Sequence, residues 1–235
     1  YVIPVPAAGC VFPEYLPKDA VMYDYDVFFN SAKEILDDEN ISLIDVREAL
    51  KKEKDDGGNP IKTFYSTDHH FTTRGAYLSY AEFCNAKGRA VKPYSDFKPY
   101  MVTTEFRGSL YRKVLLPYVP YDTVEILEIP EVSVSADGKD ISFYDMTALS
   151  DNDPYRVFQG GNHGIVLIEN PGSADKGTLL LMGDSFTNSF SQFLLDDYDR
   201  IVMADRRYTF EDPATLAESY GANEILVLQE MVSKE

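Results

Sequence analysis

The clearest pattern lies in the last third of the chain, where apolar runs alternate with polar, turn-forming segments. These runs cover residues 164–169, 178–183, 200–204 and 224–229. Near-continuous apolar runs of this length are typical of parallel strands that are covered on both faces. Segments with helical spacing lie between them, near residues 187–196 and 212–220. The alternation predicts a doubly wound, three-layer α/β/α arrangement around a parallel sheet.

The first ninety residues show the same alternation. Helical spacing of apolar residues predicts helices over residues 24–38 and 46–56, and a third helix that carries Tyr77, Tyr80 and Cys84. Short apolar, β-branched segments predict a first strand near residue 2 and further strands at residues 41–46 and 62–67. Thr72 is well placed to cap the third helix.

Between about residues 90 and 160 the pattern changes. Prolines recur, and the segments VEILEI and VSVSADGKDISFY are typical of antiparallel strands. The second segment predicts a hairpin that turns at Ala136, Asp137 and Gly138. We expect one domain over residues 1–235, with a small β-rich insertion at about 90–160 that has its own sheet.

Composition narrows the classes of protein. The chain has 235 residues, 44% of them hydrophobic, and a net charge of −17. Such a charge repels nucleic acid, so no nucleic-acid partner is expected. No apolar run approaches the ~18 residues that span a membrane. The abrupt, strand-like start suggests a removed N-terminal export signal or anchor, and hence an extracytoplasmic protein.

Cysteine usage leaves one question open. Cys10 and Cys84 are the only cysteines. They fit either one disulfide or two thiols, and there is no spacing of cysteines typical of a zinc site.

Ser185 is the first candidate for chemistry. It follows the apolar run LLLMG, and an apolar helical stripe begins directly after it. A serine at such a strand-to-helix corner has backbone N–H groups pointing toward it that can stabilise an oxyanion, which parallels the nucleophile elbow although GxSxG is absent. The alternative is a serine that merely caps the helix.

The second candidate is the segment Asp68-His69-His70. In extended backbone, Asp68 and His70 lie on one side of the chain and His69 on the other. A carboxylate beside an imidazole can orient it as a general base. The alternatives are a polar loop in which Asp68 caps a helix, and a metal site that also uses His69 and His163. The metal site is disfavoured because neighbouring histidines diverge in extended backbone, and we expect neither a metal nor another cofactor.

The third candidate is GGNHG at residues 160–164. Gly161 would offer a backbone N–H and Asn162 a side-chain amide to an oxyanion, while the alternative is a glycine-rich turn. Ligands of open parallel sheets bind beyond the carboxyl ends of the strands. The three candidates lie at or beside such ends, and together they supply a nucleophile, an oriented base and oxyanion donors.

These segments resemble a known family. DHHFTTRGA at residues 68–76, the GGNHG segment and the later GDS are similar to the DHHW protein family, whose members are SGNH-hydrolase-like (flavodoxin-like) and related to the alginate O-acetyltransferases. The resemblance implies that Ser185 is the nucleophile, His70 the base and Asp68 its orienting acid, with Gly161 or Asn162 as oxyanion donors. Phe71 departs from the tryptophan of the family name.

The resemblance implies an extracytoplasmic carbohydrate O-acetyltransferase that works through an acyl-enzyme. Its acceptor would be a carbohydrate or cell-envelope polymer, and a membrane partner would pass the acyl donor. An acyl esterase with the same residues and a non-catalytic glycan-binding or scaffold domain are the alternatives. Four arginines offer contacts to an acidic sugar, although an ordinary surface or ion-pair role is the favoured explanation for them: Arg74, Arg107, Arg206 and Arg207.

Overall fold

The fold is known from a computed structural model of the chain. It describes residues 1–21, 24–54, 57–114 and 116–231. In these ranges the helices are α1 Ala8–Val11, α2 Tyr25–Asp38, α3 Arg47–Lys52, α4 Thr73–Ala86, α5 Ser109–Val114, α6 Phe186–Phe190 and α7 Pro213–Tyr220. The strands are β1 Val2–Val5, β2 Pro99–Phe106, β3 Asp122–Leu127, β4 Ser133–Ala136, β5 Lys139–Asp140, β6 Ile165–Glu169, β7 Thr178–Gly183, β8 Arg200–Asp205 and β9 Glu224–Glu230.

The main sheet is mixed and mostly parallel in its centre. Within the described residues its strand order is β1-β9-β7-β8-β6-β4-β5. β1, β9, β7 and β8 pair in parallel, whereas β6 runs antiparallel to β8, and β4 runs antiparallel to β6. β7 lies inside the sheet between β9 and β8, and each of its residues is buried.

The two faces of β7 belong to different parts of the core. Leu179 and Leu181 pack in a cluster with aromatic residues of α4 and α6, such as Phe83 and Phe186. Leu180 and Met182 point the other way and pack with Leu216 of α7. Burial on both faces explains why this strand is a continuous apolar run.

Most helix predictions agree with the structure, but the helix predicted near residues 187–196 is the short α6, which ends at Phe190. α2 begins after Asp24, whose carboxylate accepts the Val27 N–H, and ends at Asp38 as predicted. α4 begins after Thr72, whose hydroxyl accepts the Gly75 N–H, so the predicted cap is confirmed. The helix predicted over residues 46–56 ends at Lys52, and residues 55 and 56 lie outside the described part.

Two predicted strands are wrong. Residues 41–46 contribute one bridge, from Leu43 to Val2, and residues 62–67 contribute one bridge, from Phe64 to Phe71. The second bridge shows the reason, since a chain that folds back on itself within eight residues has no room for a strand of the main sheet. The apolar side chains of this segment are buried nonetheless, which is why its pattern is strand-like.

The β-rich middle also differs from expectation. β2 and β3 form the expected separate antiparallel sheet. The predicted hairpin turns where expected, but β4 pairs with β6 and so extends the main sheet. β6, predicted to be parallel, is antiparallel and alternates between buried and half-buried residues because it lies near the edge of the sheet.

The two cysteines do not form a disulfide. Cys10 is half-buried, Cys84 is buried in α4, and both are free thiols.

Among the described residues, no helix combines the length and the apolar character needed to cross a membrane.

Candidate active site

Ser185 lies directly beyond the carboxyl end of the central strand β7. The last residue of this strand is Gly183, and a side chain there would overlap the carbonyl oxygen of Leu228 on β9. Asp184 then fixes the turn, because its carboxylate accepts the N–H groups of Phe186 (3.0 Å) and Glu230 (2.9 Å). The Ser185 side chain makes no capping hydrogen bond, so its hydroxyl is not the helix cap considered as an alternative.

The Ser185 hydroxyl bonds to His70 instead. Ser185 Oγ lies 2.7 Å from His70 Nε2, and His70 Nδ1 lies 2.5 Å from Asp68 Oδ1. An ionised carboxylate only accepts, so Nδ1 carries the proton and Nε2 is left to accept the Ser185 O–H. All three residues are buried, with exposed fractions of 8%, 5% and 2% for Ser185, His70 and Asp68. The structure thus joins residues 115 positions apart in one hydrogen-bonded chain.

Asp68 is held from two sides. Its Oδ1 also accepts the backbone N–H of His70 at 3.0 Å, and its Oδ2 accepts the N–H of Ser109 at 2.6 Å. The approach of the Ser109 backbone requires a glycine before it, since a Cβ on Gly108 would overlap the Asp68 carboxylate. Asp68 therefore points at His70 and does not cap α4, which is the task of Thr72.

A second carboxylate, that of Asp122, holds the loop at residues 66–70. Asp122 Oδ2 accepts both the N–H and the hydroxyl of Thr67, each at 2.7 Å, and Lys62 lies 3.1 Å from its other oxygen. Asp122 is 3% exposed, so these hydrogen bonds offset the cost of burying its charge. The bends at residues 66–70 are therefore held by Asp122 on β3 and by Ser109 on α5.

The electrostatics keep Asp68 charged and His69 neutral. Burial by itself would raise the pKa of Asp68, but hydrogen bonds from the His70 ring and from the backbone of Ser109 and His70 outweigh it and hold the pKa well below its usual range. Burial, with the neighbouring His70 charge second, lowers the pKa of His69 to about 4. At neutral pH, Asp68 is thus a carboxylate beside an uncharged second imidazole.

His69 does not lie where the sequence predicts. Its ring centroid is 3.9 Å from that of His70, on the same side of the chain, and its Nδ1 bonds to Ser109 Oγ at 2.7 Å. The backbone here is bent and not extended, so the alternation of sides does not apply. Asp68, His69 and His70 consequently form a group whose ligand atoms lie within 4.8 Å of one another. His163 is outside it and bonds to the carbonyl of Gln159.

Tyr155 is a site residue that the sequence analysis missed. Its ring lies flat on the His70 ring, with centroids 3.8 Å apart and planes 7° from parallel. Its buried hydroxyl lies 2.9 Å from Ser189 Oγ and donates to the Ser185 carbonyl at 3.2 Å. One side chain thus contacts both the histidine and the serine segment. Tyr155 lies in the β-rich middle of the chain, in no motif, and only its position in space reveals its contacts.

Phe71 fills the position where the family name has tryptophan. It is fully buried, and its ring packs edge-on against Phe186 with centroids 4.9 Å apart. Phe186 follows Ser185 and also packs against the rings of His69 and His70. An aromatic residue at position 71 therefore supports the helix that begins at the serine.

The glycine-rich segment lies against α6, as its predicted role requires. Asn188, one turn after Ser185, donates its side-chain amide to Asn162 Oδ1 at 3.2 Å and to the Gly161 carbonyl at 3.3 Å. Gly161 has a φ of +116°, a conformation that favours glycine. However, its N–H already bonds to the Phe158 carbonyl at 3.1 Å, so it is not free for an oxyanion. With its oxygen engaged, Asn162 has its amide N–H groups left to donate.

Arg74 is held away from the serine by other partners. Its Nε donates to Glu53 at 2.9 Å, and its guanidinium lies over the ring of Tyr94 at 4.3 Å. Among the described residues, the structure gives it no contact with Ser185 or His70. The predicted substrate-binding role of Arg74 is therefore not supported by its position.

The other three arginines differ in their exposure and in the hydrogen bonds and ion pairs that their side chains make. Arg107 donates to the Val119 carbonyl at 2.7 Å and so ties down the loop after α5. Arg207 pairs with Asp205 at 2.5 Å, at the carboxyl end of β8. Arg206 beside it is exposed. Arg206 and Arg207 are exposed and follow β8, whereas Arg107 is half-buried.

The fold and this cluster define an α/β protein in which a serine, a histidine and an aspartate are joined by hydrogen bonds beyond the carboxyl end of β7. The sequence pattern of the DHHW protein family matches residues 39–204, so the chain belongs to this family. The resemblance noted from the sequence is thereby confirmed. A comparison with curated proteins gave no match.

Solved structures agree with this fold. A DHHW family protein from Eubacterium siraeum has a TM-score of 0.76 at 23% identity, over 97% of this chain and 76% of its own. Bacillus cereus PatB1 has a TM-score of 0.78 at 18% identity, over 98% and 81%, and has also been solved with a sulfonyl adduct. The O-acetyltransferase domain of Pseudomonas putida AlgJ has a TM-score of 0.52 at 16% identity, over 97% and 73%.

Proposed function

We propose that this protein is an O-acetyltransferase that acts on a carbohydrate through a serine-bound acetyl group. The observation that carries the proposal is the hydrogen-bonded chain from Ser185 through His70 to Asp68. The likeness in fold to an O-acetyltransferase domain supports the reaction class. The sulfonyl adduct of a second protein with this fold is also consistent, because sulfonyl reagents react with strong nucleophiles.

The first half-reaction forms the acyl-enzyme. Ser185 Oγ attacks the acetyl carbonyl of the donor while His70 Nε2 takes the hydroxyl proton. The carbonyl oxygen becomes an oxyanion. When the tetrahedral intermediate collapses, the bond to the donor's leaving group breaks, and that group receives the proton from His70. Asp68, kept ionised by its hydrogen bonds, stabilises the imidazolium that exists between the two proton transfers.

The second half-reaction reverses these steps with a new acceptor. A sugar hydroxyl gives its proton to His70 Nε2 and attacks the acetyl carbonyl, and the Ser185 oxygen leaves with that proton. The acetyl group is then an ester of the sugar, and the enzyme is restored. Water in place of the sugar would release acetate, which is the esterase reaction.

The oxyanion needs donors close to Ser185. In the described residues no protein group accepts the Ser185 N–H, and Asn162, held by Asn188 from the same helix, has amide N–H groups to donate. A donor of this kind is worth about 10²–10³ in kcat. We assign the role to these two groups in place of the Gly161 N–H, which is already bonded.

Tyr155 fits this mechanism as a positioning residue. Rotation of the His70 ring out of line with Ser185 would break both of its hydrogen bonds. The flat contact of Tyr155 on one face and the tilted ring of His69 on the other restrict that rotation. The site thereby preserves the alignment that proton transfer needs.

The substrate and location belong to the same proposal. We infer an extracytoplasmic protein that acetylates a carbohydrate or cell-envelope polymer and receives its acetyl group from a membrane partner. The likeness in fold to an O-acetyltransferase domain supports the carbohydrate substrate. We assign the contact with an acidic sugar to the exposed Arg206, which follows β8, since Arg207 beside it is paired with Asp205.

An aryl acetate and a fluorophosphonate probe test the nucleophile. We expect the label on Ser185 and its loss in both Ser185→Ala and His70→Ala. Ser79→Ala is the matched control, because Ser79 is equally buried but bonds only within α4. Full activity of Ser185→Ala would contradict the mechanism, and absence of labelling would favour the scaffold alternative.

The products then separate transferase from esterase. With an aryl acetate and an oligosaccharide acceptor, mass spectrometry measures the acetylated sugar while an enzymatic assay measures free acetate. We expect acetylated sugar that increases with acceptor concentration. Release of acetate alone, at a rate independent of every acceptor tried, would assign the protein as an esterase.

A further inference from the structure

The loop before α4 brings together three side chains that can bind a metal ion. Asp68 Oδ1 lies 3.5 Å from His69 Nδ1 and 2.5 Å from His70 Nδ1. Tetrahedral zinc has ligand bonds of about 2.0–2.1 Å, which places its ligand atoms roughly 3.3 Å apart. The first pair already has this spacing. The second pair would have to open by about 0.8 Å.

We propose that Asp68, His69 and His70 form an inhibitory site for a divalent transition metal, such as Zn²⁺. Two imidazoles and a carboxylate are typical ligands for zinc, copper and nickel, whereas Mg²⁺ and Ca²⁺ prefer sets of oxygen atoms. A solvent molecule or Ser109 Oγ, which lies 2.7 Å from His69 Nδ1, completes the coordination. The metal is thus a competitor of the Asp68–His70 hydrogen bond and not a cofactor.

His69 provides the route of entry. Its side chain is 35% exposed, whereas those of Asp68 and His70 are 2% and 6% exposed. A metal ion therefore meets His69 first and then displaces the proton between Asp68 and His70. This gives His69, the histidine of the motif that is not part of the triad, a measurable property that the triad itself does not require.

Metal binding would reverse the tautomer of His70. With the metal on Nδ1, the proton of the neutral ring moves through solvent to Nε2. That nitrogen then donates a hydrogen bond, so it can no longer take the proton of Ser185. The neutral imidazole keeps its one proton, which moves from Nδ1 to Nε2, and no electron is transferred. The loss of activity rests on the proposed function, but the binding itself does not.

The binding is tested without any catalysis. Titration of the Ser185→Ala protein with Co²⁺ should give the visible absorption of tetrahedral cobalt, and calorimetry with Zn²⁺ should show one site. His69→Asn should weaken the Zn²⁺ affinity by about tenfold or more, on the scale of the 10–100-fold losses at supporting residues of metal sites. His163→Asn is the matched control and should leave it unchanged, because His163 is bonded to Gln159 elsewhere. Equal affinity in His69→Asn and the parent, or loss in His163→Asn, would overturn the site.

Inhibition of aryl acetate hydrolysis by the metal is measured separately from binding. In the protein with Ser185, Zn²⁺ should suppress aryl acetate hydrolysis, EDTA should restore it, and Mg²⁺ should have no effect. His69→Asn, compared with its own metal-free rate, should need at least about ten times more Zn²⁺ for half-inhibition. Binding through His69 in a protein without esterase or transferase activity would refute the proposed function and leave the metal site standing. Full activity with the site saturated would overturn the inhibitory role.

Discussion

The close approach of Gly108 to Asp68 predicts a strong effect of adding one methyl group. In Gly108→Ala, the new Cβ would lie 2.5 Å from Asp68 Cγ and closer still to its Oδ2 and Cβ. No contact of this kind is tolerated, so either the carboxylate or the backbone at Ser109 must move. Both movements break the 2.6 Å hydrogen bond from Ser109 to Asp68 and misalign the carboxylate with His70.

The size of the effect follows from the role of Asp68. Complete loss of the orienting carboxylate costs about 10⁴ in kcat in the best-studied triad, which is the upper limit here. A displacement of about 1 Å costs about 10². We therefore expect kcat for an aryl acetate to fall by about 10²–10⁴, with a stability loss of about 1–3 kcal/mol from overpacking.

A substitution at a second glycine, Gly88, serves as a control that separates the loss of kcat from the loss of stability. Gly88 follows α4 with a φ of +65°, and a Cβ there meets no atom within 4 Å. Gly88→Ala should thus cost about 1 kcal/mol through backbone strain alone and leave kcat unchanged. Denaturant unfolding and steady-state kinetics are measured on both variants. If Gly108→Ala is folded and keeps kcat within twofold of the parent, the assigned role of Asp68 is wrong.

Three further predictions concern the surroundings of the triad. Tyr155→Phe keeps the ring on His70 and should lower kcat only a few-fold, whereas Tyr155→Leu should lower kcat by about 10². Phe158→Leu removes a buried ring beside Tyr155 and is the control for a loss of stability. Asn162→Ala should lower kcat by about 10²–10³ with little change in KM, and a change confined to KM would contradict an oxyanion role. Burial, with the charge of Asp184 second, raises the pKa of Glu230 to about 7, above its ordinary value of 4.5. The folded state therefore binds the extra proton, and stability falls as the pH rises from about 4.5 through 7. Glu230→Gln removes this loss, so its melting temperature relative to the parent should be higher at pH 8 than at pH 5, and an equal difference at both pH values would argue against the raised pKa.

The sequence predicts the central strands and helices because their patterns are local. β7 and β9 are recognisable as apolar runs, and α2 and α4 by their spacing and their capping residues Asp24 and Thr72. Strand direction is not a local property. β6 is an apolar run like the parallel strands of the sheet, yet it runs antiparallel to both of its neighbours, β8 and β4.

The triad is predictable to the same extent. Ser185 belongs to a short motif that follows β7, and Asp68 and His70 belong to a second short motif whose residue types indicate an oriented base, although the strand predicted before that motif is absent. Tyr155 and Gly108 belong to no motif. Their importance comes from a stacked ring and a backbone approach of two segments that are distant in sequence, which periodicity and spacing do not report.

The error about His69 has the most consequence for function. The prediction that His69 and His70 diverge assumes extended backbone, and it holds for a strand. Residues 66–70 are bent because Asp122 and Ser109 bind the loop from either side, through Thr67 and Asp68. The same bends that aim His70 at Ser185 therefore also stack His69 beside it. A metal-competent cluster is thus a physical consequence of how this loop builds its base, and removal of His69 alone is the change that separates the two properties.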